Sequence, residues 1–305
     1  VRIRRLSGDE YDDYPAIARI VARIDDERPN ADQLREYAKP REGKVDWQAS
    51  ALLDGELVGF GRCQRRETFP AGKSHMTVVV DEHVEGRGIG RALADLMYDR
   101  CRDFGATYVT TAVREDLDRS RLFAEQQGFV ETQRLYGSSL EVPTEPIALT
   151  AVDRVRIASW AELGDTPESR RELYETGHDA ESVSVDADEW GRLSYAEFEI
   201  EVFGPTHRPD ALFVAIEDGR FVGFHYLSVN DQGTVIVGFT CVRPAVANRG
   251  IATALKLVGV CWAQGEGLQT MRTHNDTRNA PMIAINRKLG FVDEPGWIYV
   301  RKELV

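Results

Sequence analysis

Two short turns carry the residues best suited to hold a ligand: Gly86-Arg-Gly-Ile-Gly-Arg91 and Asn248-Arg-Gly-Ile-Ala-Thr253. Each lies between an apolar, β-branched run and a stretch with apolar residues at three- and four-residue spacing, so each reads as a strand-to-helix connection. Small residues there bring backbone N–H groups close to a ligand. The unpaired N–H groups and positive dipole end of the following helix favour phosphate oxygens. Arg87 and Arg249 add neutralising charge. A glycine-rich turn also serves as a plain tight connection, but two copies in the same context favour a phosphate site. Neither copy has the GxxxxGK[ST] of a Walker loop, and the third glycine of a dinucleotide fingerprint is Arg91 in the first.

Other reactive constellations are missing. The four cysteines, Cys63, Cys101, Cys241 and Cys261, are scattered without a CxxC and read as reduced core residues. The six histidines form no HxxxH pair or His/Cys cluster, so no metal site is expected.

The elements around the turns occur twice. LLDGELVGFGRC (Leu52–Cys63) is answered by VAIEDGRFVGFHYL (Val214–Leu227), with the Asp-Gly pair displaced by 164 residues. VVVDEHVEGRGIGRAL (Val78–Leu93) is answered by TCVRPAVANRGIATAL (Thr240–Leu255) at an offset of 162, and LFAEQQGFVE by IAINRKLGFVDE at the same offset. A period this long describes a duplicated domain rather than a solenoid repeat. In each copy an opening strand (VRIRR; VRIAS) leads into a charge-rich helical stretch, Glu10–Tyr37 or Ser159–Phe203. An Asp-Gly hairpin of type I′ character follows, then an apolar strand (Met76–Val80; Thr234–Val242), the turn and an amphipathic helix. Gly105 and Gly265 are expected to stop those helices. A further strand (Thr107–Val113; Leu268–Thr273), a helix and a GFV strand complete each copy. Hairpins mixed with strand–helix–strand units predict an α/β fold.

Strand, R/Q-x-x-G-x-G/A turn, helix, strand, then N-x-x-(A/M)…LGF resembles the core of the GNAT superfamily of acetyl-CoA-dependent N-acetyltransferases. Both halves match, so the resemblance covers nearly the whole chain and is similar to the bacterial tandem GNAT proteins, mycothiol synthase among them. It implies two tandem GNAT-like domains, residues 1–142 and 153–305 joined by a linker at 143–152. Each would be a mixed, mostly antiparallel sheet flanked by helices. The cofactor implied is acetyl-CoA, as acyl donor. The resemblance places its pyrophosphate on Arg249, Gly250, Ile251, Ala252 and Thr253, and in copy one on Arg87, Gly88, Ile89, Gly90 and Arg91. The strand ending at Cys241 and Val242, or at Val80 in copy one, would pair with the pantetheine arm, and an N–H near Val242 would hold the thioester carbonyl.

The sequence departs from the family in several places. The first motif position is Glu85 in copy one and Ala247 in copy two, and a carboxylate at Glu85 counts against cofactor binding there. The family's tyrosine acid is replaced by Asn286 in copy two and Ala124 in copy one. Copy one has Leu117 where copy two has Asn279, whose position favours capping the next helix over touching the cofactor. The second copy is therefore the better-equipped catalyst. An amine of pKa about 10.4 must lose a proton before attack, yet the glutamate some members carry falls at Ile236 and Ser74. His274, at the expected end of its strand, is the candidate base, with Glu197, Glu199 and Glu201 sharing one face if AEFEIEVF is a strand. Asn286 would fix the sulfur or a water near it. Cys241 reads as a core thiol, and Trp47, Trp160, Trp190 and Trp262 as core anchors.

Fifty acidic against thirty-eight basic residues give a net charge of −12. That disfavours nucleic acid and favours a cationic acceptor. No apolar run reaches the ~18 residues of a membrane span, and VRIRRLSGDEYDD lacks a secretory core, so a cytoplasmic protein is expected. The expected partner is a small-molecule or peptide amine, and the chain is expected as a monomer or homodimer. The competing class is a non-catalytic acyl-CoA-binding sensor or scaffold.

Overall fold

A computed structural model describes residues 1–6, 12–22, 24, 30–39, 43–181, 192–204 and 206–304. The chain divides into two compact units, Val1–Arg134 with Trp297–Val305, and Leu135–Gly296.

The first unit begins with β1 (Arg2–Arg5), α1 (Tyr14–Val21), α2 (Ala31–Ala38), β2 (Lys44–Leu53) and β3 (Glu56–Arg66). It continues through β4 (Lys73–Val80), α3 (Ile89–Asp103), β5 (Tyr108–Arg114), α4 (Asp118–Gln126) and the start of β6 (Val130–Glu141). Its sheet runs β1-β2-β3-β4-β5-β12, the last being Trp297–Glu303 of β12 (Val292–Glu303). The β2–β3 hairpin turns at Asp54 and Gly55, both at positive φ, which is the type I′ geometry the Asp-Gly pair predicts. Leu93, Met97 and Cys101 of α3 are fully buried against one face of the sheet. Ile17, Ile20 and Val21 of α1 pack with Phe60 and Val79.

The second unit contains Leu135–Glu141 of β6 and β7 (Val155–Ser159), α5 (Trp160–Leu163), α6 (Pro167–Glu181), α7 (Tyr195–Phe203), β8 (Leu212–Glu217) and β9 (Arg220–Val229). It ends with β10 (Thr234–Val242), α8 (Ile251–Gly265), β11 (Thr270–Asp276) and α9 (Ala280–Lys288). Its sheet order is β6-β11-β10-β9-β8-β7. Val235, Leu227, Ile251 and Leu255 form the core on the α8 side, whereas Trp160, Leu173, Phe198, Phe224 and Cys241 form the one under α6 and α7. Each unit's sheet thus includes a segment from the other half of the sequence repeat. Residues 143–151 hold neither helix nor strand.

Several local expectations are corrected. AEFEIEVF is the helix α7, because Ser194 and Glu197 form a reciprocal capping box that starts it. The three glutamates therefore do not share a strand face. Gly265 is the last residue of α8, and the left-handed position that ends the helix falls at Gly267 (φ 71°). The first helix does end as expected, with Gly105 at φ 75°. Trp160 is fully buried and Trp47 packs on the first unit's core. Trp262 is half-buried and donates from Nε1 to Asp210 (2.9 Å). Trp190 and parts of the Glu10–Tyr37 and Ser159–Phe203 stretches lie outside the described residues.

Candidate active site

In both units the two parallel strands part midway. β4 pairs with β5 only through Lys73, Ser74 and His75, and β10 with β11 only through Thr234, Val235 and Ile236. Beyond those residues the inner edge of each leading strand has no strand partner in the sheet. An extended ligand can pair with such an edge.

Each opened strand leads through a tight turn to the helix that follows. Gly88 (φ 81°) and Gly250 (φ 85°) are the N-caps, and no side chain caps either helix. The first internal bonds run from Ala92 to Gly88 and from Ala254 to Gly250, both 3.0 Å. That leaves the N–H groups of Ile89, Gly90 and Arg91, and of Ile251, Ala252 and Thr253, directed out of the helix ends. A Cβ built at Gly88 or Gly250 meets nothing within 4 Å, so both cradles are open. Positive φ at Gly86 and Asn248 shapes the approach, asparagine tolerating what most side chains do not. Fifteen-residue helices end on these cradles with a dipole suited to anions.

The charges at the two turns differ from the sequence expectation. Arg249 is not available as drawn: its guanidinium is held by both carboxylate oxygens of Glu217 (2.8 and 3.0 Å) and by the Asp153 carbonyl. The Arg249 hydrogen bond holds the Glu217 carboxyl below its ordinary range. Copy one has Leu53 at the place of Glu217, and the exposed Arg87 has no such tether. Glu85, expected to repel phosphate, is paired with Arg119 at 2.7 Å.

The β9–β10 ladder shifts register between Val237 and Phe239, leaving Gly238 as an extra residue. In copy one the β3–β4 ladder is continuous. The bulge also changes the alignment of the repeats. Ile236, the last residue paired before β10 and β11 part, matches His75 rather than Ser74. A Cβ at Gly238 would fall inside the Tyr226 ring, so that ring lies directly against the bulge. The Tyr226 hydroxyl donates to Glu201 of α7 at 3.4 Å. At the matching point the first unit has Arg62, locked onto Asp46 with Lys44 beside it. Sequence reading missed this group. A glycine inside a β-branched strand was the available signal.

The remaining candidates fall as follows. His274 lies inside β11 opposite Gly137, not at the strand's end, because pairing with β6 carries the strand to Asp276. Asn286 is buried on α9 and donates to Asn275 (2.7 Å), while its Oδ1 has no protein partner. Asn279 caps α9 by accepting from Met282 N–H (3.3 Å), and Leu117 gives α4 no such cap. Ala124 is buried in the core. Cys241 is buried and unpaired, and burial pushes its thiol far up, out of the nucleophile range. Val242 and Val80 end their strands as expected. Among the described residues no His, Cys, Asp and Glu group is placed to hold a metal, and no helix is long and apolar enough to cross a membrane.

Comparison with protein families matches the Acetyltransferase (GNAT) family at residues 9–129 and again at 169–291, most of the chain. The chain belongs to the GNAT family. It is a tandem GNAT enzyme, the two matches falling one in each half of the repeat. Mycothiol acetyltransferase of Streptomyces coelicolor is 26% identical over 318 residues, covering 99% of this chain and 94% of that protein. The Frankia alni protein of the same name is 26% identical, covering 94% and 89%. Among solved structures, a tandem GNAT protein from the clavulanic acid biosynthesis pathway superposes with TM-score 0.79 at 19% identity, over 100% of this chain and 98% of that one. A GCN5-related N-acetyltransferase from Sphaerobacter thermophilus gives 0.73 at 19% identity, over 99% and 95%. These likenesses establish the tandem GNAT fold.

Proposed function

We propose that the second unit transfers an acetyl group from acetyl-CoA to a primary amine on a small molecule, by direct attack on the thioester. The observation that carries this is the conjunction, in one unit, of an opened strand, a bulge beside it and an uncapped helix end a few residues on. The Ile251, Ala252 and Thr253 N–H groups would hold the pyrophosphate. The open edge of β10 through Cys241 and Val242 would pair with the pantetheine arm. At about 3.3 Å per residue, the thioester then reaches the Gly238–Phe239 bulge, where a re-aimed backbone N–H meets its carbonyl, rather than Val242. Asn279 would serve by fixing the start of α9. Relatives named mycothiol acetyltransferase support a small-molecule acceptor.

The first unit has an open cradle with Arg87 and Arg91 but a continuous β4, an Arg62–Asp46 pair at the bulge position and Ala124 in place of a polar group. We assign it phosphate binding without transfer. Release of free CoA thiol on mixing the protein, acetyl-CoA and amines tests the reading. Turnover that survives loss of the first unit's cradle but not of the second's is expected, and the reverse overturns it.

A second expectation concerns the tethered arginine. Because Arg249 is already engaged by Glu217, Arg249→Ala should weaken acetyl-CoA binding by less than about threefold. Glu217→Gln, which frees the guanidinium for phosphate, should tighten it by about three- to tenfold. Titration calorimetry on both variants reads the result.

A further inference from the structure

Three features of the second unit converge on the α6–α7 side of the bulge. Gly238 is exposed in β10 and the Tyr226 ring is packed directly against it, with the hydroxyl bonded to Glu201. The ring touches the bulge and its hydroxyl lies 3.4 Å from the Glu201 carboxylate, so a single tyrosine side chain spans from the bulge to Glu201. β10 and β11 have parted just before this level, at Ile236. Finally, Phe239 is the cross-strand neighbour of Tyr226, and both aromatics pack against the core under α6 and α7.

We infer that Glu201 is the group that receives the proton of a cationic primary amine, and that Tyr226 positions it. This rests on the transferase reading above and extends it to a base and an acceptor class. The ammonium gives one proton to Glu201. The nitrogen lone pair then forms the N–C bond at the thioester carbonyl carbon, and the C–S bond breaks with its electron pair going to sulfur. The second nitrogen proton passes to that sulfur, giving an amide and a free thiol, and Glu201 returns its proton to water. An acceptor carrying a carboxylate next to its amine would set that charge against Glu201 and is disfavoured.

Other titratable groups on the elements packed here include Tyr174, His178, Asp179 and Glu181 of α6, Tyr195, Glu197 and Glu199 of α7, His225 of β9, Cys241 of β10 and His274 of β11. Glu199 is bonded by Arg170 at 3.4 Å, Asp179 is paired with Arg243, and His225 is fully buried. Glu197 is bound to the Ser194 N–H and hydroxyl. Burial raises the Glu181 carboxyl above its ordinary range, which makes it the natural comparator.

The test measures acetyl-CoA binding by calorimetry and CoA thiol release with 1,4-diaminobutane, glucosamine and glycine, from pH 6.5 to 10. Glu201 is exposed, so Glu201→Gln is expected to fold normally and to bind acetyl-CoA within about twofold of wild type. Its turnover with the two cations should fall about 100-fold at pH 7.5. The deficit should shrink towards pH 10, where solvent supplies the neutral amine, and Glu201→Asp should recover part of it. Tyr226→Phe should show a smaller loss with a shifted pH profile. A uniform, pH-independent loss would mark a structural role and overturn the assignment. So would the same pH signature arising from Glu181→Gln or His274→Ala with Glu201→Gln unaffected, or equal rates with glycine. A wild type that binds acetyl-CoA yet acetylates neither cation overturns the cationic-acceptor assignment, whereas one that does not bind acetyl-CoA overturns the transferase reading instead.

Discussion

Gly250→Glu is expected to weaken acetyl-CoA binding at the second unit by about 100-fold or more, equivalent to about 2.7 kcal/mol. The glycine stands at φ 85° at the mouth of an uncapped helix. A Cβ there meets no neighbour, so the substitution does not collide with the core. It costs left-handed strain of about 1–2 kcal/mol. Its carboxylate would occupy the N–H groups of Ile251, Ala252 and Thr253 and place a negative charge where the pyrophosphate must sit. Neighbouring Arg249 gives little relief, being already bound by Glu217. Gly88→Glu makes the same change in the first unit and should leave turnover within about twofold, since transfer is assigned to the second. Calorimetry and thiol release on both variants decide the matter. If Gly88→Glu stops turnover while Gly250→Glu does not, the working unit is the first.

Much of this architecture is legible in the sequence because its signals are local. The Asp54-Gly55 and Asp218-Gly219 pairs require positive φ and take it. The glycines of the two cradles mark the strand-to-helix turns for the same reason. What escaped was set by tertiary context. AEFEIEVF alternates like a strand, but Ser194 supplies a helix start, and burial of Phe198 and Val202 under the sheet completes it. The Arg249 charge is legible, whereas its neutralisation by Glu217 is not, since the partners are 32 residues apart and meet only in the fold. The bulge is an intermediate case. A repeat whose offset changes from 162 to 161 within one strand contains an inserted residue, and Gly238 is the residue that could be it.

The second large effect is on stability and is confined to the second unit. His225 of β9 is fully buried, its Nδ1 2.8 Å from Thr240 Oγ1 and its Nε2 without a partner. Lys256 of α8 is buried nearby, and its Nζ lies 5.5 Å from the Phe291 ring centre. Burial, with the Lys256 charge second, lowers the His225 pKa to about 3, and burial lowers that of Lys256 to about 8. Both groups therefore prefer to be neutral when folded, while the unfolded chain protonates them at about 6.5 and 10.4. The unfolded state binds the extra proton as pH falls through each unfolded value, so stability declines in two windows. One runs from about pH 10.4 down to 8, costing about 3 kcal/mol through Lys256, and the other from about 6.5 towards 3, costing up to about 5 kcal/mol through His225. Either is a large share of a typical 5–15 kcal/mol. Urea midpoints followed by hydrogen exchange of the β9 segment should therefore rise between pH 8 and 10 and drop steeply below pH 6. Lys256→Met should remove the alkaline rise, stabilise the unit at pH 7 by about 1–3 kcal/mol, and soften the acid loss by removing the charge facing His225. His225→Gln should abolish most of the acid window and leave the alkaline one. The first unit carries Gly61, Val78 and Ala94 at the corresponding positions, so exchange of its β3 segment should show neither window from this source. A β9 segment whose midpoint is flat from pH 4 to 10 would mean that water reaches these two side chains and that the pair is not buried as a neutral couple.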